Sequence, residues 1–388
     1  AMVDKLAAEF KDELANLGVR VDELEARMDN VKWSGWVRYE YKNRRQKDLK
    51  DAKGNPTDGV STVQRIKLRL TPSMKINNQW TAHARMEFGM DANSAHCSTA
   101  ANWGGGYNGT QFRVDQAWVD GKIGTATVKL GRFGTYDNAS HGLVMDDVIT
   151  GADVTIPFGK NWNVHLAAGR YSWYPIDTLG SAVVKDADGN EVGKASGVLL
   201  GDPSDGYAGG TWTYLGGEVY YAKDKWDFGV GYREFRGKTP NLNATANFNC
   251  MDGIDRIKMA NVGVGYKFSP AVYMNVDYAR INAGKRADDS VQYAGSAPNQ
   301  KHNYNIQLSW QLSKKINVHA AYRHLANPNV CATYDLLSWN CDGQKGWEIG
   351  TDITLQKNVS ACAYYFDGKN LAGENKLKMF YGNLNFSF

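Results

Sequence analysis

The chain reads as an all-β protein: a sixteen-stranded antiparallel transmembrane barrel carrying an N-terminal α-helical coiled-coil stalk. Three observations predict this. From Trp33 onward, apolar and polar residues alternate with period two, the strand period. The connections between these segments alternate between short and long. The last segment, Leu377 to Phe388, puts Phe380, Leu384, Phe386 and Phe388 on one parity, so the chain finishes inside a strand whose free edge needs a partner. Pairing it with the first strand, at 33–42, closes a barrel and removes the edge, with Phe386 and Phe388 at the seam.

Composition fits a barrel that crosses a membrane. Of 388 residues 43% are hydrophobic, and the mean hydropathy of −0.50 is that of a polar chain. No run approaches 18 apolar residues, so no transmembrane helix is expected. A barrel dilutes its hydropathy by alternating lipid-facing and lumen-facing residues. Tyr 21, Trp 12 and Phe 13 supply interfacial aromatic girdles. The formal net charge is +4; residues 1–32 carry five basic and eight acidic groups, which leaves the barrel at +7 and weakly favours anions. No signal peptide is read at its start, and the chain is expected to be the C-terminal part of a longer parent. The five cysteines (97, 250, 331, 341, 362) match no zinc spacing; Cys331 and Cys341 either pair within one loop or stay as thiols.

Two domains follow, 1–32 and 33–388. In the first, Val3, Phe10, Leu17, Leu24 and Val31 occupy d positions of a heptad, and Ala7, Leu14, Val21 and Met28 occupy a positions. Arg20 falls at g and Glu25 at e, where they can pair between neighbouring helices. The run from Arg20 to Glu25 resembles the signature of three-stranded coiled coils, so a homotrimer is expected.

In the second domain the predicted strands are 33–42, 62–71, 78–90, 111–121, 124–133, 151–157, 162–172, 211–222, 225–236, 256–268, 271–282, 301–313, 316–325, 346–356, 358–367 and 376–388. The clearest is 303–312, with Tyr304, Ile306, Leu308, Trp310 and Leu312 opposite Asn303, Asn305, Gln307, Ser309 and Gln311. In 257–268, Ile257 and Met259 change parity with Val262 and Val264, which predicts a bulge near Asn261. Tight turns, such as Lys223-Asp224 and Lys357-Asn358, alternate with long connections at 43–61, 91–110, 134–150, 173–210, 237–255, 283–300, 326–345 and 368–375. Short on one side and long on the other is the outer-membrane pattern, so the stalk is expected in the periplasm and the long loops outside.

Candidate site residues fall into two groups. Arg38, Arg65, Lys67, Arg69, Arg85 and Arg113 all lie on the polar parity of the first four strands. An arginine on the lipid face at mid-membrane depth costs roughly 2–4 kcal/mol, so these are expected to line the lumen. Arg132 belongs with them only if a bulge at Gly131 re-aims it, because it shares parity with Leu130. The third long connection, 134–150, carries Asp137, His141, Asp146 and Asp147. No catalytic motif, cofactor site or metal site is read, and the inward arginines are out of reach of a nucleic-acid duplex.

Two resemblances sharpen this. In position and length, and in the preceding Gly131-Arg132-x-Gly134, the 134–150 connection resembles the third loop of general porins. That resemblance implies a loop folded into the lumen, its acids facing an arginine ladder. The segment VDKLAAEFKDELANLGVRVDELEARMDNVKWSGWVRYEY, Val3 to Tyr41, resembles the OmpM-type tethering porins of diderm Firmicutes such as Veillonella. This implies a homotrimer in an outer membrane of lipid and LPS that passes small hydrophilic solutes, in a parent whose N-terminal domain binds peptidoglycan. The alternatives are a structural anchor with a plugged barrel, or a substrate-specific channel.

Overall fold

The computed structural model describes residues 31–50, 56–91, 111–172, 178–185, 191–200, 211–236, 256–283, 301–326, 344–371 and 376–388. Sixteen long strands form the barrel: β1 Gly35–Lys50, β2 Pro56–Leu70, β3 Trp80–Asp91, β4 Gln111–Ile123, β5 Ala126–Tyr136, β6 Asp146–Phe158, β7 Trp162–Ser172, β8 Thr211–Lys223, β9 Trp226–Arg236, β10 Arg256–Ser269, β11 Val272–Ala283, β12 His302–Ser313, β13 Ile316–Leu325, β14 Gln344–Gln356, β15 Val359–Asn370 and β16 Lys376–Ser387. Each is antiparallel to both neighbours. The ring closes where β16 pairs with β1, with Val37 opposite Phe386 and with Gly35 and Phe388 exchanging backbone hydrogen bonds of 3.1 and 3.0 Å. The seam therefore lies where the last strand's parity predicts it.

The outer face follows the alternation. On β12 the outward series is Tyr304, Ile306, Leu308 and Trp310, two aliphatic residues between two aromatic ones, about 20 Å along the strand from first to last. Ile306, Leu308 and Trp310 are all exposed, as are Trp226, Val230 and Tyr232 on β9. Aliphatic residues at mid-height with aromatics above and below match a hydrocarbon layer and its two interfaces.

The structure differs from the expectation in four places. Strands β1 and β2 run on past 42 and start before 62, so most of the first long connection is strand, with only 51–55 outside the described residues. Strand β6 begins at Asp146, not at 151, which shortens the third connection to 137–145. The 173–210 connection contains a hairpin of its own, 178–185 paired with 191–200. Asn261 sits in an unbroken ladder with both neighbours and is no bulge. Here Ile257, Met259, Asn261, Gly263 and Gly265 all face inward, and the inner wall itself turns apolar near the long connections.

That inner apolar zone is continuous. Phe133, Tyr171, Trp212, Tyr214, Phe235, Ile257, Met259, Ile281, Leu325, Phe366, Leu377 and Met379 form one buried cluster. All lie near the strand ends that meet the long connections. Beyond the hydrocarbon band a strand has no lipid to satisfy, so its apolar residues gain by turning inward and packing.

Val31 and Lys32 pair with Met74 and Ser73, so the last expected heptad position already belongs to the barrel. The other stalk residues, Val3, Phe10, Leu14, Leu17, Arg20, Val21, Leu24, Glu25 and Met28, lie outside the described residues, as do Cys331 and Cys341.

Candidate functional site

Four inward-facing strands carry the basic residues. Cross-strand register sets Arg38 opposite Lys67, Glu40 opposite Arg65, and Trp36 opposite Arg69. Further round, Arg69 faces Glu87 and Glu87 faces Arg113; the Arg113 side chain lies outside the described residues. The head groups form a lattice. Lys67 reaches Glu40 at 3.0 Å and Arg38 reaches it at 3.5 Å. Arg69 donates Nε to Glu87 at 2.5 Å. Arg85 is 3.6 Å from Glu87 and donates Nε to Asp115 at 2.8 Å. The guanidinium groups of Arg38 and Arg69 stack on the Trp36 ring at 4.3 and 4.7 Å.

Depth separates the two signs. The side chains of Arg38, Lys67, Arg69 and Arg85 are 23–31% exposed, whereas those of Glu40, Glu87 and Asp115 are only 5–10% exposed. Carboxylates lie against the wall and cations lie over them, so water in the lumen meets positive charge first. Arg65 belongs to the same face but is buried.

Arg132 does not join this lattice. It keeps the parity of Leu130 and pairs with Ala117 and Thr150. The Gly131 backbone, at φ 124°, is one that only glycine takes without strain. The guanidinium donates to the Asp115 carbonyl at 2.9 Å, at the point where the β4–β5 ladder stops. It thereby satisfies backbone that strand pairing leaves open.

The 137–145 loop folds against the inner wall of β8 to β11, opposite β1 to β4 in the ring. Asp137, Ala139, Ser140, Leu143, Val144 and Met145 have no exposed surface. Leu143, Val144 and Met145 join the apolar cluster. The remainder is held by polar groups. Arg233 bridges Glu218 at 2.5 Å and Asp137 at 3.1 Å, and its Nη1 donates to Asn261 at 2.8 Å. Asn261 donates in turn to Asp137 and to Ser140 Oγ, both at 2.9 Å. Glu218 also accepts from the backbone N–H groups of Asn138 (3.1 Å) and Ala139 (3.3 Å). His165 bridges Glu218 and Asp153 at 2.8 and 2.7 Å. The close fit needs glycine: a Cβ on Gly263 would lie 2.5 Å from the Ala139 carbonyl oxygen.

At the loop tip His141 takes a left-handed φ of 52°, followed by Gly142 at 81°. This turn drives the ring between two strands, where Nδ1 is 2.6 Å from Asp277 and Nε2 is 2.6 Å from Asp227. Tyr273 donates its hydroxyl to Asp227 at 3.1 Å. Burial disfavours the charged ring, but the two carboxylates outweigh it and hold His141 up at about 10, so the imidazole is a cation at neutral pH.

The loop acids do not stand together as an acidic face. Asp137 is fully buried; burial pushes its carboxyl up, and Arg233 acts against that. Asp147 faces inward and accepts from Tyr171 at 2.8 Å. Asp146 shares the outward parity of its partner Tyr136 and is exposed. The early start of β6 explains this, because it takes both residues into a strand where parity separates them. Negative charge on this side comes instead from strand residues that the sequence reading did not single out: Asp153, Glu218, Asp227 and Asp277. Each is an acid on the polar parity of its strand, as Glu218 is between Gly217 and Val219, and that was the available signal.

A closed barrel with an apolar exterior, a charged inner wall and a loop packed inside it is the architecture of an outer-membrane channel protein. The chain belongs to the Gram-negative porin family, whose model matches residues 14–371, and it resides in the outer membrane. A loop-deletion mutant of OmpT, an outer membrane protein of Vibrio cholerae, superposes with a TM-score of 0.52 at 12% identity, over 93% of this chain and 100% of that one. Salmonella typhi OmpF in complex with daunomycin gives 0.48 at 12% identity, over 92% of this chain and 97% of that one. A mutant Rh. blastica porin gives 0.48 at 11% identity, over 92% and 100%. At such identities the likeness is one of fold. No curated protein matches the chain at a significant level.

Proposed function

We propose that the chain is a general diffusion porin for small hydrophilic solutes and ions, with an aperture between the 137–145 loop and the cationic lattice of β1 to β4. The observation that carries this reading is the placement of charge. Cations cover the inner face of one wall, and the wall bearing the loop is rich in carboxylates. An aqueous path between them lies in a transverse field, and such a field sorts ions by sign and orients dipolar solutes. The lattice residues do no chemistry on the solute.

The heptads of residues 1–32 support a homotrimer with a periplasmic stalk. The Val3–Tyr41 likeness supports an OmpM-type parent that ties the outer membrane to peptidoglycan through a domain outside this sequence. Planar-bilayer recording of the purified protein tests the channel reading: stepwise insertions of open conductance are expected, and a silent membrane refutes it.

One observation favours a second reading, a narrow or plugged anchor. The inward apolar cluster around Trp212, Tyr214 and Phe235 is nearly solvent-free. Liposome swelling with a series of sugars separates the two, since an anchor gives no swelling even with the smallest sugar.

A further inference from the structure

At the short-turn end of the lumen the inner wall holds a recess of about 520 Å³ between β12 to β16 and β1. Its polar lining includes Arg38, Lys314, Lys315, Asn317, Asp352 and Asn385. Three are cations and one is an acid. The acid is engaged, because Asp352 accepts the Tyr364 hydroxyl at 2.6 Å. The cations have donors to spare. Arg38 is locked by the Trp36 ring and by its Nε bond to Asn385 at 3.2 Å, and its Nη1 reaches Glu40 at 3.5 Å. Its Nη2 has no partner among the described residues, and neither has the Lys314 ammonium or the Asn317 side-chain amide. Lys315 has only a long contact, 3.5 Å, to the Leu355 carbonyl.

Donors held around a cavity without a bonded protein acceptor can be matched by an acceptor from outside. A planar guanidinium beside an ammonium suits an oxyanion with two or more oxygens. We infer that this recess is a docking site for small solutes bearing a carboxylate or phosphate group, at the short-turn mouth of the lumen, where it adjoins the cationic lattice at Arg38. It deepens the channel reading and rests on it for the route by which solute arrives. Its role there is to raise the local concentration of such anions at one mouth, so binding is weak and rapidly reversible.

The test uses the full chain in planar bilayers in potassium chloride, with inorganic phosphate or succinate added to one side. A saturable fall in chloride-carried current is expected from the short-turn side, and potassium chloride of equal ionic strength should not produce it. The double substitution Lys314→Gln, Lys315→Gln should raise the half-blocking concentration at least tenfold, each protein being referred to its own starting current. Lys160→Gln, at an exposed turn on the same rim, serves as the comparison and should not move it. An equal midpoint in the double variant, an equal shift in the Lys160 variant, or a block that does not saturate overturns the inference. Phosphate block without succinate block, or the reverse, assigns the oxyanion. If no current is seen at all, the channel reading fails, and equilibrium dialysis of labelled phosphate against detergent-solubilised protein decides the recess alone. Single-site binding lost in the double variant upholds it, and no binding overturns it.

Discussion

Neutralising Lys67, Arg69 and Arg85 together, each to Gln, should turn the lumen toward cations. These three are the lattice head groups that lie over Glu40, Glu87 and Asp115. For an ion passing about 8 Å from each head group in water, one unit charge contributes about 0.5 kcal/mol. Screening with a Debye length of about 10 Å at 0.1 M salt cuts this to about 0.2 kcal/mol. Three charges then amount to about 0.7 kcal/mol, felt with opposite sign by cation and anion. The cation-to-anion permeability ratio therefore rises by about 1.4 kcal/mol, or about tenfold. The carboxylates left behind act in the same direction. Reversal potentials under a salt gradient read the ratio directly. At 1 M salt, where the Debye length is about 3 Å, the difference should nearly vanish. Because the substitution takes a cation from each of three carboxylates, folding is checked by heat-modifiable migration. A folded variant whose ratio is unchanged at 0.1 M salt refutes the placement of the lattice on the conducting path.

Other predictions concern the loop. Arg233→Gln takes the guanidinium from the buried Asp137 and from Glu218, which keeps only His165 as a basic partner, a loss of about 3–5 kcal/mol for a broken buried pair. It should lower the heat-modification temperature and open the 137–145 loop to protease; resistance equal to the parent's counts against the anchor. Gly263→Val places side-chain atoms where Ala139 packs, an overpacking cost of about 1–3 kcal/mol, and should alter single-channel conductance by displacing the loop; an unaltered conductance denies that the loop borders the path. His141 is held above its ordinary 6.5, at about 10, so its attachment to Asp227 and Asp277 is at full strength below pH 6.5 and fades as pH rises through 10. Current noise from loop motion should therefore grow on the alkaline side, and His141→Gln should be noisy throughout; noise that grows toward acid instead would reverse the assignment.

The fold was legible because membrane strands obey one rule at a time. Between the two interfaces a side chain faces either lipid or lumen, and period two alone assigns Ile306, Leu308 and Trp310 outward and Asn305 and Gln307 inward. The expectation fails where that rule stops applying. At Ile257 and Met259 the strand has left the hydrocarbon band, so apolar character marks the inside and not the outside. A parity slip in the sequence then imitates a bulge in a regular ladder. The same limit hid the start of β6: Asp146, Asp147 and Thr150 look like loop residues, although the ladder with β5 already includes them.

The cationic wall could be read because each of its members is local. A base on the polar parity of its strand reveals its position, and the expense of charge in lipid fixes its direction. The opposite wall could not, because its organisation belongs to no single segment. Asp137 is neutralised by Arg233, which lies 96 residues further along the chain, and His141 is clamped by acids from β9 and β11 that the sequence separates by fifty residues. Which strands the loop meets depends on the loop folding inward, and that depends on Gly263 leaving room and on Leu143, Val144 and Met145 finding an apolar cluster to enter. Taken alone, the loop acids suggest an acidic face. Once folded, Asp137 is consumed as a fastening and Asp146 turns outward, and strand carboxylates supply the negative side of the field. Glu218, Asp227 and Asp277 both hold the loop and carry that negative charge, whereas Lys67, Arg69 and Arg85 pair only with carboxylates of their own wall, so Arg233→Gln should act on stability and noise while the Lys67, Arg69, Arg85 substitution acts on selectivity.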